Sequence, residues 1–197
     1  MTSFSFDWNC VIEAEEDCEH ACHGRRLVEL HRSGACEVSV LATSASENLR
    51  GSRTLPGSYD LFRKRLEALG WSDLSAEPTL FAVGLTSIGS SKIAGDYEHT
   101  LIDALWRIIA PNVERDPRRH CPPLLVSDED WIASKDLAKW RNTWCDVHSV
   151  HSHISAGRDV FVTTNTTDFQ RNADSLALLG LRRIALPKEA VALVEVR

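Results

Sequence analysis

The chain has 197 residues, 43% of them hydrophobic and 25% charged, with a formal net charge of −6; that is the make-up of a globular domain able to bury a substantial core. No apolar run approaches the roughly 20 residues that cross a bilayer, and the start MTSFSFDWN lacks the basic and apolar regions of a signal peptide, so a cytoplasmic protein without a membrane partner is expected. The negative balance argues against coating nucleic acid by bulk electrostatics, and leaves room for an enzyme that gathers acids around a cation.

Residues 3–12 read as a first strand carrying Phe4, Phe6, Cys10, Val11 and Ile12, with Asp7 in or just after it. A polar stretch, 13–32, is expected to contain a helix ending at Gly34, glycine being favoured just past a helix end. Residues 35–42 (ACEVSVLA) alternate as a second strand, and Thr43 to Glu47 reads as the start of a helix. Leu61, Phe62, Leu66 and Leu69 recur at helical spacing before Gly70. TLFAVGL, 79–85, is a third strand or a buried apolar link, and the Gly/Ser-rich 86–95 is a loop.

Leu101, Ile102, Leu105, Ile108 and Ile109 define an amphipathic helix over 96–110, ended by Pro111. Four prolines keep 111–126 irregular. A helix from near Ser127 carries Trp131, Leu137, Trp140 and Trp144, and a separate helix is expected from Asp146 to Gly157. A strand at 160–163, a helix at 172–179, a strand at 183–186 and a terminal helix or strand at 188–196 complete the chain. Strands alternating with helices predict a three-layer α/β/α sandwich with a central, mostly parallel sheet. One domain spans 1–197, with an insertion expected within 50–140.

In such sheets ligands bind beyond the carboxyl ends of the strands, which directs attention to Asp7, Glu47, Asp146, Asn165 and Asp168. Each acid also has a plainer reading. Ser44-x-x-Glu47 is a helix capping box, Asp146 at a helix start suits the helix dipole, and Asp168 fits a cap after a strand. Asp7 resists such a reading, because an acid between Phe6 and Trp8 is costly to bury without a cation or hydrogen-bond partners.

These segments resemble the PIN-domain family of VapC-like ribonucleases. FSFDWNCVIE is similar to the family's first strand with its aspartate. CDVHSVHSHISAGRDVFVTTNTTDF is similar to its aspartate-bearing helix, Gly-x-Asp turn, Val-Thr strand end and acidic turn closed by Phe. VSVLATSASEN is similar to the segment carrying its glutamate. The resemblance covers 4–13, 36–48 and 144–169.

It implies a PIN-like fold and a metal-dependent endoribonuclease acting on single-stranded RNA with Mg²⁺ or Mn²⁺, hard cations that favour oxygen ligands. The implied principal metal ligands are Asp7 and Asp146, with Glu47 a ligand through water or a general base. One departure stands out: Asn165 occupies the place of the family's fourth acid, and Asp168 beside Phe169 is the substitute. Thr163, Asn165 and His148 are supporting candidates near water or phosphate. The resemblance also implies a toxin with an antitoxin protein partner, and a homodimer. A catalytically inactive PIN-like module that binds RNA or protein is the alternative.

CEHACH, with Cys18, His20, Cys22 and His23, would suit zinc if helical, since Cys18 and Cys22 would then share a face. No second distant pair completes such a site, and a polar helix face is the preferred reading. His148, His151 and His153 are expected to pack or hydrogen-bond at a helix surface, with 148 and 151 on one face and 153 pointing elsewhere. The six tryptophans read as core, and Cys10, Cys36 and Cys145 as reduced, buried small hydrophobes. No phosphate-binding loop, dinucleotide turn or serine-nucleophile elbow is present.

Overall fold

The computed structural model describes residues 1–43, 59–82, 86, 91–123 and 127–196. Among them five strands form one all-parallel sheet in the order β3-β2-β1-β6-β7, built from β1 (Ser3–Phe6), β2 (Glu37–Leu41), β3 (Ser75–Glu77), β6 (Val160–Val162) and β7 (Ile184–Ala185). A separate parallel pair joins β4 (Thr79–Leu80) to β5 (Ser91–Lys92). The three-layer α/β sandwich expected from the alternation is therefore present.

Period-2 alternation in β1, β2 and β6 divides the core. Phe4, Phe6, Val38, Val40, Val160 and Val162 meet one helical layer, made by α1 (Trp8–Glu16), α2 (Ala21–Arg32), α3 (Tyr59–Ala68) and α10 (Pro187–Glu195). Leu41 and Phe161 meet the other, made mainly by α4 (Asp96–Ile109) and α7 (Lys135–Ser155) and completed by α6 (Asp128–Ile132), α8 (Thr166–Gln170) and α9 (Ala173–Leu178). All six tryptophans are buried, in agreement with the core reading. No helix among the described residues is long and apolar enough to cross a membrane.

The first strand is shorter than expected. It ends at Phe6, and Asp7 is the N-cap of α1, so residues 8–12 are helical. Trp8, Val11 and Ala14, spaced three apart, face the core, a period that overrides the β-branched Val11–Ile12 pair. The polar stretch 13–32 contains the expected helix, α2, preceded by the last turn of α1. Asp17 takes the left-handed conformation at φ 52° and ends α1. Gly34, at φ 77°, lies past the end of α2 as read.

Asp146 does not open a helix. Ser134 caps α7, its side chain accepting from Leu137 N, and the helix runs unbroken for 21 residues through Asp146. The stretch holds neither Gly nor Pro, and buried Leu137, Trp140, Trp144, Val147 and Val150 continue one apolar pattern across the expected break. Gly157, at φ 65°, then allows the tight turn into β6.

Smaller corrections follow from short elements whose pairing partners are remote in sequence. β3 was not expected, β5 falls in the expected loop, and β4 covers only two residues of 79–85, of which 83–85 lie outside the described residues. Within the irregular link lies α5 (Pro117–His120), its N-cap Asp116 accepting from Arg118 N. The link is pinned to the helical layer by indole donors: Trp106 Nε1 to Val113 O at 2.5 Å, Trp140 Nε1 to Glu114 O at 2.9 Å and Trp131 Nε1 to Cys121 O at 2.5 Å. Leu61, counted on the apolar face of α3, is exposed, whereas Phe62 and Leu66 are buried.

Candidate active site

The chain steps outward from β1 to β2 and β3, then returns to the other side of β1 to lay down β6 and β7. The topological switch of the sheet thus lies between β1 and β6, where open parallel sheets bind ligands beyond the carboxyl ends of their strands. Phe6 and Val162 are register partners at those ends. The next residues on the two strands are Asp7 and Thr163.

These two residues are bonded to each other. Thr163 Oγ1 donates to Asp7 Oδ2 at 2.8 Å, and Asp7 N donates to Val162 O at 2.9 Å. Asp7 Oδ2 also accepts from Asn9 Nδ2 at 3.2 Å, and Oδ1 accepts from Trp8 N at 2.9 Å. Asn165 N donates in turn to Thr163 Oγ1 at 3.1 Å, tying the start of α8 to the same cluster. A carboxylate offers about four acceptor positions, so three donors leave capacity chiefly on Oδ1.

Asp7 is only 4% exposed and Thr163 is fully buried. Burial pushes the Asp7 carboxyl above its usual value; the donors from Thr163, Trp8 and Asn9 pull it back only in part. No ion pair to Asp7 occurs among the described residues. Beside it, Cys10 Sγ donates to Val162 O at 3.3 Å. Burial first, then the neighbouring Asp7 and Glu13, hold that thiol well above its ordinary range, so it stays protonated and is a poor nucleophile.

The other expected site residues are distributed as follows. Asp146 is half-buried in the middle of α7. Glu47 lies outside the described residues, and Asp168 lies in α8. His148 is buried and stacked on Trp144 at 3.9 Å between ring centroids. The structure thus brings Asp7, Thr163 and Asn165 together directly. Among the described residues, no three His, Cys, Asp or Glu side chains form a group able to hold a metal ion.

The three histidines are not at a surface. His148, His151 and His153 are all buried, and burial first of all lowers their pKa values to about 3, 4 and 4. His151 bonds to Ser155 Oγ at 3.3 Å, within its own helix, whereas His153 Nδ1 shares a 2.5 Å hydrogen bond with Ser5 Oγ on β1. Cys18 and Cys22 do not share a helical face: Cys18 lies in the turn before α2 and Cys22 within it, both exposed. Two contributions are not expected from the sequence, that of Asn9 and the sheet contact of His153. Asn9 is legible in hindsight as a short donor two residues after Asp7; His153 is not, because its partner is 148 residues away.

No protein family, curated protein or solved structure matches this chain.

Proposed function

We propose that the chain is a PIN-like, Mg²⁺- or Mn²⁺-dependent endoribonuclease acting on single-stranded RNA. One observation carries this reading: a buried carboxylate, Asp7, is held by Thr163 across the switch point of a parallel sheet, without an ion-pair partner among the described residues. A buried carboxylate raised by desolvation gains from a cation, and carboxylate oxygen is the ligand type that a hard divalent ion prefers.

Helix geometry supports Asp146 as the second ligand. His153 contacts Ser5 beneath the sheet. Seven residues back along α7 is Asp146, about 10 Å higher on nearly the same face. Two residues on along β1 is Asp7, about 7 Å higher and on the face of Ser5. The two acids therefore share one side and one end of the sheet. Glu47 completes the proposed ligand set through water or acts as general base, and Asp168 substitutes for the acid that Asn165 replaces.

A bound divalent ion supplies a water of lowered pKa and charge for the departing oxygen. Thr163 and Asn9 fix the orientation of the Asp7 carboxylate, and Asn165 orients water or a phosphate oxygen without adding charge.

One specific feature favours the non-catalytic alternative, a module that only binds RNA or protein: Asn165 stands where an acid is expected. Incubating a mixed single-stranded RNA pool with purified protein and Mn²⁺ separates the two. The nuclease reading expects cleavage that disappears on chelation and in both Asp7→Asn and Asp146→Asn. RNA bound but uncut by the wild type would hand the case to the module.

A further inference from the structure

We infer that the open edge of the sheet beside β7 is a docking groove for an extended, acidic segment of a partner protein, which adds to β7 as a further strand. The inference is independent of the metal-dependent reading above.

β7 is the last strand of the sheet and is paired on one side only, to β6. That ladder uses the carbonyls of Arg183 and Ala185, which accept from Phe161 N at 2.9 Å and Thr163 N at 3.1 Å. Backbone groups alternate in direction along a strand, so the N–H and C=O of Ile184 face the open edge. Such groups are what an incoming strand pairs with. β7 is short, so backbone pairing alone would be weak, and the walls beside it must supply the rest.

Those walls form a trough. A cavity of about 570 Å³ lies between β7 and α10, and Ala192, Leu193 and Val196 line it from the helix. Their spacing of one, three and four residues makes a single apolar stripe; Ala192 and Val196 are exposed. A second cavity, of about 450 Å³, shares Arg183 and Leu193 with the first and continues it toward Asp159 and Val160 at the start of β6. A trough that follows an edge strand, apolar along one wall, receives every second side chain of an added strand.

Charge selects the occupant. Arg182 and Arg183 are both exposed at the start of β7. The Arg183 guanidinium makes no hydrogen bond or ion pair among the described residues. The acids of the trough already have donors: Glu189 accepts from Leu186 N at 2.9 Å, and Asp159 accepts from Ser3 N at 2.9 Å and Ser3 Oγ at 2.8 Å. The uncommitted charge at this edge is therefore positive, in a chain whose net charge is −6, and it attracts carboxylates on a partner. A second copy of the chain fits worse. Pairing β7 with itself would gather the arginines of both copies at one short edge, where like charges repel.

The probe is a fluorescein-labelled peptide alternating valine with glutamate, titrated to about 1 mM and followed by fluorescence anisotropy. One control peptide carries lysine in place of glutamate, and another carries N-methylated valines, which cannot pair with a strand edge. The acidic peptide should bind, and both controls should not. Bound peptide should slow hydrogen exchange of the Ile184 amide. Arg183→Glu, at an exposed position, should leave the melting temperature unchanged and weaken the acidic peptide by about tenfold, since an attraction is lost and a repulsion gained. Wild-type protein that does not bind the acidic peptide overturns the inference, as does binding that Arg183→Glu leaves unchanged. Equal binding of the N-methylated peptide overturns strand addition. Self-association seen by sedimentation, and lost on adding the acidic peptide, supports the edge as the docking surface only if Arg183→Glu abolishes peptide binding; self-association that excludes the peptide makes a second copy the occupant and overturns the inference.

Discussion

The two helical layers of this sheet are built on different principles. The layer of α1, α2, α3 and α10 presents Phe4, Phe6, Val38, Val40, Val160 and Val162 with aliphatic and aromatic partners. The layer centred on α7 buries His148, Ser149, His151, Ser152 and His153 alongside its tryptophans. Apolar packing makes a stable layer by area alone. Polar burial stabilises less and specifies more, since each group must find its partner. In this molecule the polar layer is the one that adjoins Ser5 and carries Asp146; His153 Nδ1 finds Ser5, whereas Ser149 Oγ and Ser152 Oγ are buried with no hydrogen-bond partner among the described residues.

The largest test of that contrast is acid. The three α7 histidines are held neutral by burial, with pKa values near 3, 4 and 4 instead of the usual 6.5. His151 and Arg115 depress His148 further. Glu98 and Lys92 act in opposite directions on His151, as do Arg158 and Asp159 on His153. A depressed histidine contributes stability that is present above its unfolded pKa and is lost as the pH falls toward the folded one. Stability should therefore decline from about pH 6.5 downward, by up to roughly 3 kcal/mol for each histidine. Asp7 works against this, since its raised carboxyl favours the folded state as it protonates, but three groups outweigh one. Urea denaturation from pH 7 to 4 checks it, and His148→Phe, which keeps a ring on Trp144, should remove part of the slope. A flat profile would mean that these rings reach water or a partner, and the contrast between layers would fail.

How much of this was legible beforehand depended on range. The parallel α/β class, the burial of the tryptophans, α3, α4, and the strands at 37–41 and 160–162 followed from local periodicity, which needs no partner. Asp7 was conspicuous because an acid between Phe6 and Trp8 breaks a pattern. What was lost required distant information. Residues 8–12 look β-like until the core on both sides selects the spacing of Trp8, Val11 and Ala14. The continuity of α7 past Asp146 depends on the sheet and α4 covering it. The buried state of His153 depends on Ser5, and no pattern within α7 announces it.

A smaller effect sharpens the comparison at the site itself. Thr163→Val removes the donor to Asp7 Oδ2 and the acceptor of Asn165 N while keeping the side-chain shape. Hydrogen bonds to charged groups contribute about 1.5–3 kcal/mol, and a loss of that size is expected. The sign of its pH dependence is set by Asp7. Without Thr163 the carboxyl rises further, and the stability of a raised carboxyl is present below 3.8 and is lost as the pH rises through its folded value. The deficit of Thr163→Val relative to wild type should thus be larger at pH 7 than at pH 4. Thr163→Ser, which keeps the hydroxyl, should show little of it. An equal deficit at both pH values would place the role of Thr163 in packing and not in the hydrogen bond.

The smallest expected effect concerns charge outside the core. Arg26 Nε pairs with Glu195 at 2.8 Å, joining α2 to α10 in the apolar layer, with side chains 48% and 43% exposed. Arg158, in the turn that follows α7, pairs with Glu37 at 2.6 Å and Glu77 at 2.5 Å; it and Glu77 are each only 13% exposed. Exposed pairs are screened by water and salt, and lose in side-chain entropy much of what they gain in attraction. A pair that is mostly withdrawn from solvent keeps its attraction and leaves an unsatisfied charge when one partner is removed. Glu195→Gln should therefore shift the urea midpoint by no more than experimental error, and high salt should erase any shift. Glu77→Gln should lower the midpoint clearly and retain most of that loss in salt. Equal effects from the two substitutions would show that Arg158 is as freely solvated as Arg26. The tie between the turn after α7 and strands β2 and β3 would then contribute nothing to holding the polar layer in place.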